Sequence, residues 1–203
     1  MKIGEIKIEA LKLMFVNYDH DISLNDLDIL KNDANYGSYL VNMEGSLFRA
    51  LDRIENACVL PLKSKNISMF DCYNNDGFLE YDLLNLEDYF SIERVIGINK
   101  NGEKNTSCDF SIEGNTLVLD DFYLKYKLLY YPKIILKSIN DNDELNIPNN
   151  IARLIPYFIK SELYQEEEPS VASEARNLFE ASLQDLKKQY GKQNYLHRVI
   201  SFY

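Results

Sequence analysis

The residues of this chain best suited to metal or nucleophilic chemistry are two histidines, His20 and His197, and three cysteines, Cys58, Cys72 and Cys108. Neither histidine has a partner at the spacing that puts two imidazoles on one helical face, so no H-E-x-x-H pattern offers a zinc site. The cysteines are odd in number and widely spaced, which suits neither a disulfide framework nor a zinc knuckle. Three reduced, partly buried thiols are expected. Asp120 and Asp121 adjoin at the end of a strand pattern. Neighbouring strand residues point to opposite faces, so the pair reads as a turn rather than an acid–base dyad.

Two polar segments resemble calcium loops in composition, Asn74-Asn75-Asp76-Gly77 and the stretch from Asn140 to Glu144. A twelve-residue calcium loop needs Asp first and Glu last. Aligned on Gly77, those positions hold Cys72 and Leu83, and the second segment lacks the glycine. No phosphate-cradling G-x-x-x-x-G-K-[ST] or G-x-G-x-x-G run occurs, and no G-x-S-x-G elbow. The expectation is therefore no catalytic residue, no cofactor and no resident metal.

The elements around these residues fall into helices, then strands, then helices. Ile3, Ile6, Ala10, Leu13, Met14 and Asn17 follow helical spacing, which predicts a helix over about 3–18. Ser23 precedes a short helical stretch, 24–32, and is expected to cap it with its hydroxyl. Tyr36, Leu40, Met43, Leu47, Ala50, Leu51, Ile54 and Cys58 make one stripe of a longer helix, about 36–59, which Pro61 ends. Gly45 sits in the middle of that helix.

After Pro61 the period changes to alternation. Asn74–Gly77 is a turn, Asn99-Lys100-Asn101-Gly102 reads as a hairpin turn, and Gly114-Asn115 is a second tight turn. The strands between them predict a small antiparallel sheet with one buried face. Asn140 to Glu144 reads as a polar linker. Ile151, Leu154, Ile155, Phe158, Ile159 and Leu163 then form a helical stripe that starts at Pro148 and should kink at Pro156. Val171, Ala175, Leu178, Phe179, Leu183, Leu186 and Tyr190 define a last helix that Gly191 should stop. The fold class is α+β, a helical bundle of N- and C-terminal helices with an inserted antiparallel β domain. The expected parts are 1–60, 61–139, 140–191 and a C-terminal docking tail, 192–203.

Formal net charge is −10, with Lys and Arg unclustered, so a phosphate-gripping nucleic-acid groove is not expected. An acidic wall that DNA slides past fits that charge better. No apolar run reaches membrane length, the N-terminus lacks a signal-peptide core, and a reducing cytoplasm is the expected place of synthesis.

Two sets of residues carry a resemblance. One is Gly4-Glu5, Glu9-Ala10-Leu11, Phe15-Val16-Asn17-Tyr18 and Tyr39-Leu40-Val41-Asn42-Met43 with Ser46 and Arg49. The other is Tyr131-Pro132, Ile147-Pro148, the run from Ala152 to Tyr164, Glu168-Pro169 and Ala172-Ser173-Glu174-Ala175-Arg176-Asn177-Leu178-Phe179. Together they resemble the head–tail adaptor (connector) proteins of tailed bacteriophages and prophages. The resemblance implies a ring, usually of twelve copies, between portal and tail around the DNA channel. It implies the portal protein, sibling subunits and the next neck or tail protein as partners, DNA passing without specific binding, and a place in the virion neck. A terminal extension that docks on the portal is also implied. In this chain the apolar tail would supply the anchors Tyr195, Leu196, Val199, Ile200, Phe202 and Tyr203, each stabilising the contact by roughly 1.5–3 kcal/mol when aliphatic or Phe-sized. The competing expectations are a carboxylate-based virion-associated hydrolase, which needs converging acids in a pocket, and a cytoplasmic protein-binding module.

Overall fold

The computed structural model describes residues 1–15, 22–99, 108–120, 122–136 and 138–199, with side chains as far as residue 190. The fold is α+β, as expected, with a small antiparallel β region inserted between two helical stretches. The chain forms two compact units. One joins Met1–Val59 to Ile134–Tyr203, and the other is Leu60–Lys133.

In the helical unit, α1 (Ile3–Met14) buries Ile3, Ile6, Ala10, Leu11 and Met14. It ends four residues before the expected 18. The Lys160 ammonium takes the Leu13 carbonyl at 2.6 Å and the Tyr164 hydroxyl takes the Met14 carbonyl, so side chains satisfy the last turn and Phe15 leaves the helical conformation. Short α2 (Leu27–Leu30) follows a 3-10 turn at Leu24–Asp26. Here the Asp26 carboxylate does the capping. It accepts the Ser23 amide at 2.8 Å and the Ser23 hydroxyl at 2.7 Å, so the hydroxyl donates rather than caps.

Helix α3 (Gly37–Asn56) buries Leu40, Met43, Leu47, Ala50, Leu51 and Ile54 in one stripe. Cys58 does not belong to it. Its backbone turns left-handed (φ 52°), which stops the helix before Pro61 is reached and delivers Val59 and Leu60 into the interior. The chain returns to this unit at Ile134, whose N–H donates to the Glu55 carboxylate at 2.5 Å.

The next helix is broken rather than kinked. α4 (Asn149–Ala152) stops at Arg153-Leu154, and α5 (Ile155–Leu163) starts anew with Pro156 in its first turn. Proline lacks the N–H that an interior position must donate, and a first turn asks for none. α6 (Pro169–Val199) is 31 residues long. Among its described side chains, Ala172, Ala175, Phe179 and Leu183 are buried, whereas Leu178 is half exposed. Gly191 does not stop it. Glycine costs about 1 kcal/mol in a helix interior, which Lys, Gln and Leu neighbours of good helical propensity can carry.

The β unit holds two antiparallel sheets, not one. β1 (Lys63–Ser68), β7 (Lys125–Pro132) and β4 (Tyr89–Ile98) form one in the order β1-β7-β4. β2 (Tyr73–Asn75), β3 (Phe78–Asp82), β6 (Thr116–Asp120) and β5 (Phe110–Glu113) form the other in the order β2-β3-β6-β5. Both send inward residues to one core, among them Ile67, Leu79, Tyr81, Val95, Leu117, Leu119, Tyr126 and Leu128. Asp76-Gly77 makes a two-residue turn with positive φ at both positions (48° and 90°), and Gly114-Asn115 joins β5 to β6. The hairpin turn expected at Asn99 to Gly102 falls between β4 and Cys108, whose N–H donates to the Val95 carbonyl of β4 at 3.2 Å. Most of that segment lies outside the described residues.

Gly97 in β4 lies against the Tyr123 ring. A Cβ there would stand 2.4 Å from Cδ2 and 2.6 Å from Cγ, so the whole ring must move. That ring is wedged edge-on against Phe122 and Tyr126 at 5.0 and 5.7 Å. Gly97→Ala is therefore expected to destabilise the β unit by about 2 kcal/mol, the range for overpacking a filled site. Thermal unfolding followed by near-ultraviolet circular dichroism checks this.

Candidate assembly surface

The tail residues singled out from sequence sit at the far end of α6. The backbone is helical through Val199, so Tyr195, Leu196 and Val199 occupy helical positions; Ile200, Phe202 and Tyr203 lie outside the described residues. At 3.6 residues per turn, positions 195, 196 and 199 fall roughly 170° around the helix from Leu183, Leu186 and Tyr190. The latter three continue the stripe that packs on the bundle. Leu183 is buried, Leu186 and Tyr190 are half buried, and the Tyr190 hydroxyl accepts Asn150 Nδ2 at 3.3 Å. The apolar positions of the tail thus lie on the side of α6 opposite its bundle-facing stripe.

At the other end of α6 is a groove of about 590 Å³ between α3 and the α5–α6 turn, lined by Ser38, Tyr39, Asn42, Glu162, Leu163, Gln165, Glu166 and Glu167. Its walls are fixed by charged contacts. Glu162 accepts Arg49 Nε at 2.6 Å with Arg176 Nη1 at 3.9 Å, and Glu167 accepts the Tyr39 hydroxyl at 2.7 Å. That hydrogen bond to a carboxylate, with some burial, pushes the Tyr39 phenol up to about 12. Below it, Arg53 grips Glu180 through Nε at 2.9 Å and Nη2 at 2.6 Å, and this holds the Glu180 carboxyl below its usual range. Glu166 and Glu168 are exposed and have no ion-pair partner among the described residues. Gly45, unexplained by its sequence, has no helix packed over it; the Arg49 guanidinium is its neighbour at 3.3 Å along the adjoining groove.

The residues considered for chemistry are scattered. His20 and Asp121 lie outside the described residues, and His197 is described by its backbone alone. Burial pushes the Cys72 thiol up to about 11 and the Cys108 thiol upward, which disfavours the nucleophilic thiolate. A cavity in the β unit gathers Cys108, Asp109, Asp120, Phe122, Tyr123 and Tyr126. Its Tyr126 hydroxyl is committed to backbone. It donates to the Asp120 carbonyl and accepts the Tyr123 N–H at 3.1 Å, closing the turn after β6. Among the described residues no three His, Cys, Asp or Glu side chains gather as metal ligands, and no helix is long and apolar enough to cross a membrane.

Asn140 to Glu144, read as a linker, is a structural tie. Asp141 Oδ1 lies 2.8 Å from Lys7 Nζ and Oδ2 lies 2.9 Å from Lys31 Nζ, while the Asp141 and Asp143 carbonyls accept the Gly4 and Ile3 amides at 2.8 and 2.9 Å. A lysine at position 7 of an amphipathic helix gives no hint of this in sequence, because its partner is more than a hundred residues away. No protein-family model matches this chain, and no curated protein matches it.

Proposed function

We propose that this chain is a structural subunit of a bacteriophage neck, a head–tail adaptor that forms a ring between portal and tail around the DNA channel. The observation that supports it is the form of α6. Its first half is stitched into the bundle, and no residue between Leu183 and Tyr190 is buried, yet the helix continues to Val199. About 24 Å of helix follows Leu183, at 1.5 Å per residue. We read this stretch as a projecting arm, on which Tyr195, Leu196 and Val199 recur at helical spacing away from the stripe its own bundle uses. In this reading the arm grips the portal once packaging ends, and the acidic body keeps the passing DNA from sticking.

Deleting residues 192–203 is the test. Co-purification with the portal is expected to fall at least about tenfold, since two lost apolar anchors at roughly 1.5 kcal/mol each already exceed that factor. The melting temperature is expected to stay where it is, because no side chain of α6 from 184 to 190 is buried. Portal binding equal to that of the full chain would reject the anchoring role.

A further inference from the structure

The two ends of α6 carry opposite charge. From 184 to 199 the sequence holds Lys187, Lys188, Lys192 and Arg198 against Asp185 alone, a net of +3 in a chain of net −10. Everything else therefore sums to −13. At the N-terminal end, Glu166, Glu167 and Glu168 stand exposed beside the groove described above, with Glu166 and Glu168 unpaired among the described residues.

These two ends cannot meet within one chain. Glu168 and Lys187 are nineteen positions apart, roughly 28 Å along a continuous helix, and Lys192 is farther still. A lysine side chain reaches about a quarter of that. The orientation of the arm points the same way. Positions 188 and 192, ahead of the apolar tip, follow at a helical interval of four. They line one side of α6, roughly 180° from Leu183, Leu186 and Tyr190. A continuous helix cannot show both stripes to one bundle.

We infer that the basic arm of α6 docks in the acidic groove between α3 and the α5–α6 turn of a second copy of this chain, a head-to-tail contact. The same two unlike surfaces are present on every copy, so each subunit offers one arm and one groove. A heterologous contact of this kind closes into a ring when its rotation divides the circle, and otherwise runs on as a filament. The inference deepens the ring reading above by naming its subunit–subunit contact, and it stands apart from whether a portal is bound.

Sedimentation velocity of the full chain across concentration tests it, with two charge-reversed chains. One is Lys187→Glu, Lys188→Glu, Lys192→Glu; the other is Glu166→Lys, Glu168→Lys. The wild-type chain is expected to self-associate at low salt and to dissociate as salt screens the contact. Each reversed chain alone should associate at least about tenfold more weakly. An equimolar mixture of the two should assemble again, because the acidic arm of one then meets the basic groove of the other. Far-ultraviolet circular dichroism melts establish that both variants are folded. A wild-type chain that stays monomeric at low salt at every accessible concentration overturns the contact. So does undiminished association of either reversed chain, or a mixture that fails to recover. A chain that assembles in this way but ignores the portal would sink the adaptor reading and leave this contact standing; portal binding by a chain that fails the mixing test would do the reverse.

Discussion

Asp141→Ala is expected to destabilise the helical unit by about 3 kcal/mol, read from urea unfolding. The Lys7 side chain is 2% exposed, and its ammonium lies between Asp141 at 2.8 Å and Glu44 at 3.1 Å. Removing one partner of a buried pair costs about 3–5 kcal/mol, because the remaining charge stays desolvated. The lower figure applies here, since half-exposed Glu44 still faces the ammonium and the Lys7–Asp141 contact is an ion pair without well-aligned hydrogen-bond geometry. Lys7→Met in the same chain should recover part of the loss, as it removes the stranded charge and keeps the apolar stem. Asp141→Ala leaving the midpoint unchanged would show that the tie is made by the backbone bonds of Asp141 and Asp143 alone.

The same carboxylate gives the protein an acid limit. Burial pushes the Asp141 carboxyl up, but the Lys7 and Lys31 ammonium groups outweigh it and hold the net value below the ordinary carboxylate range. A depressed folded-state value means the stabilisation is fully present above the unfolded-state value and is lost as pH falls through the folded one. Wild-type stability should therefore decline on acidification below the usual carboxylate range, and Asp141→Ala should flatten that decline.

Phe179→Ala is expected to cost about 4 kcal/mol in scanning calorimetry. The ring is fully buried and meets Phe158 edge-on at a centroid distance of 5.0 Å. Phe158 in turn carries the Arg176 guanidinium over its face at 4.1 Å, so the truncation removes the buried end of a three-part stack between α5 and α6. Large-to-small changes at such sites run about 3–5 kcal/mol. Leu178→Ala, one position earlier, should change stability by less than about 0.5 kcal/mol, because Leu178 is 50% exposed. Equal losses at the two positions would contradict the burial pattern of α6.

That neighbouring pair shows where sequence reading stops. Phe179 and Leu178 both fit a helical apolar stripe, and nothing in the period says which lies at its centre. The phase of a stripe is set by what packs on it, here α5. The broken helix at Arg153-Leu154 is of the same kind. Pro156 announces a disturbance, but a kink and a new first turn both satisfy a residue without an N–H, and the packing of α4 and α5 chose the second. The two sheets escaped notice because alternation reports that a strand has an inner face, not which sheet it joins. Of the candidate assembly surface, the tail was visible as an apolar run, whereas the groove was not. Arg49 and Glu162 are 113 positions apart, and Tyr39 and Glu167 are 128 apart.

By itself, then, the sequence determined what is local: the helical stripes of α1, α3 and α6, the Asp76-Gly77 and Gly114-Asn115 turns, the change from helical to alternating period after Pro61, and the opposite charges at the two ends of the last helix. Each is written in residues a few positions apart. The tertiary structure alone decided which faces are covered, that Asp141 binds Lys7 and Lys31, that two sheets share one core, and that α6 runs on past Gly191. Those depend on burial and on contacts between residues far apart in the chain, whose free energies a local pattern does not contain.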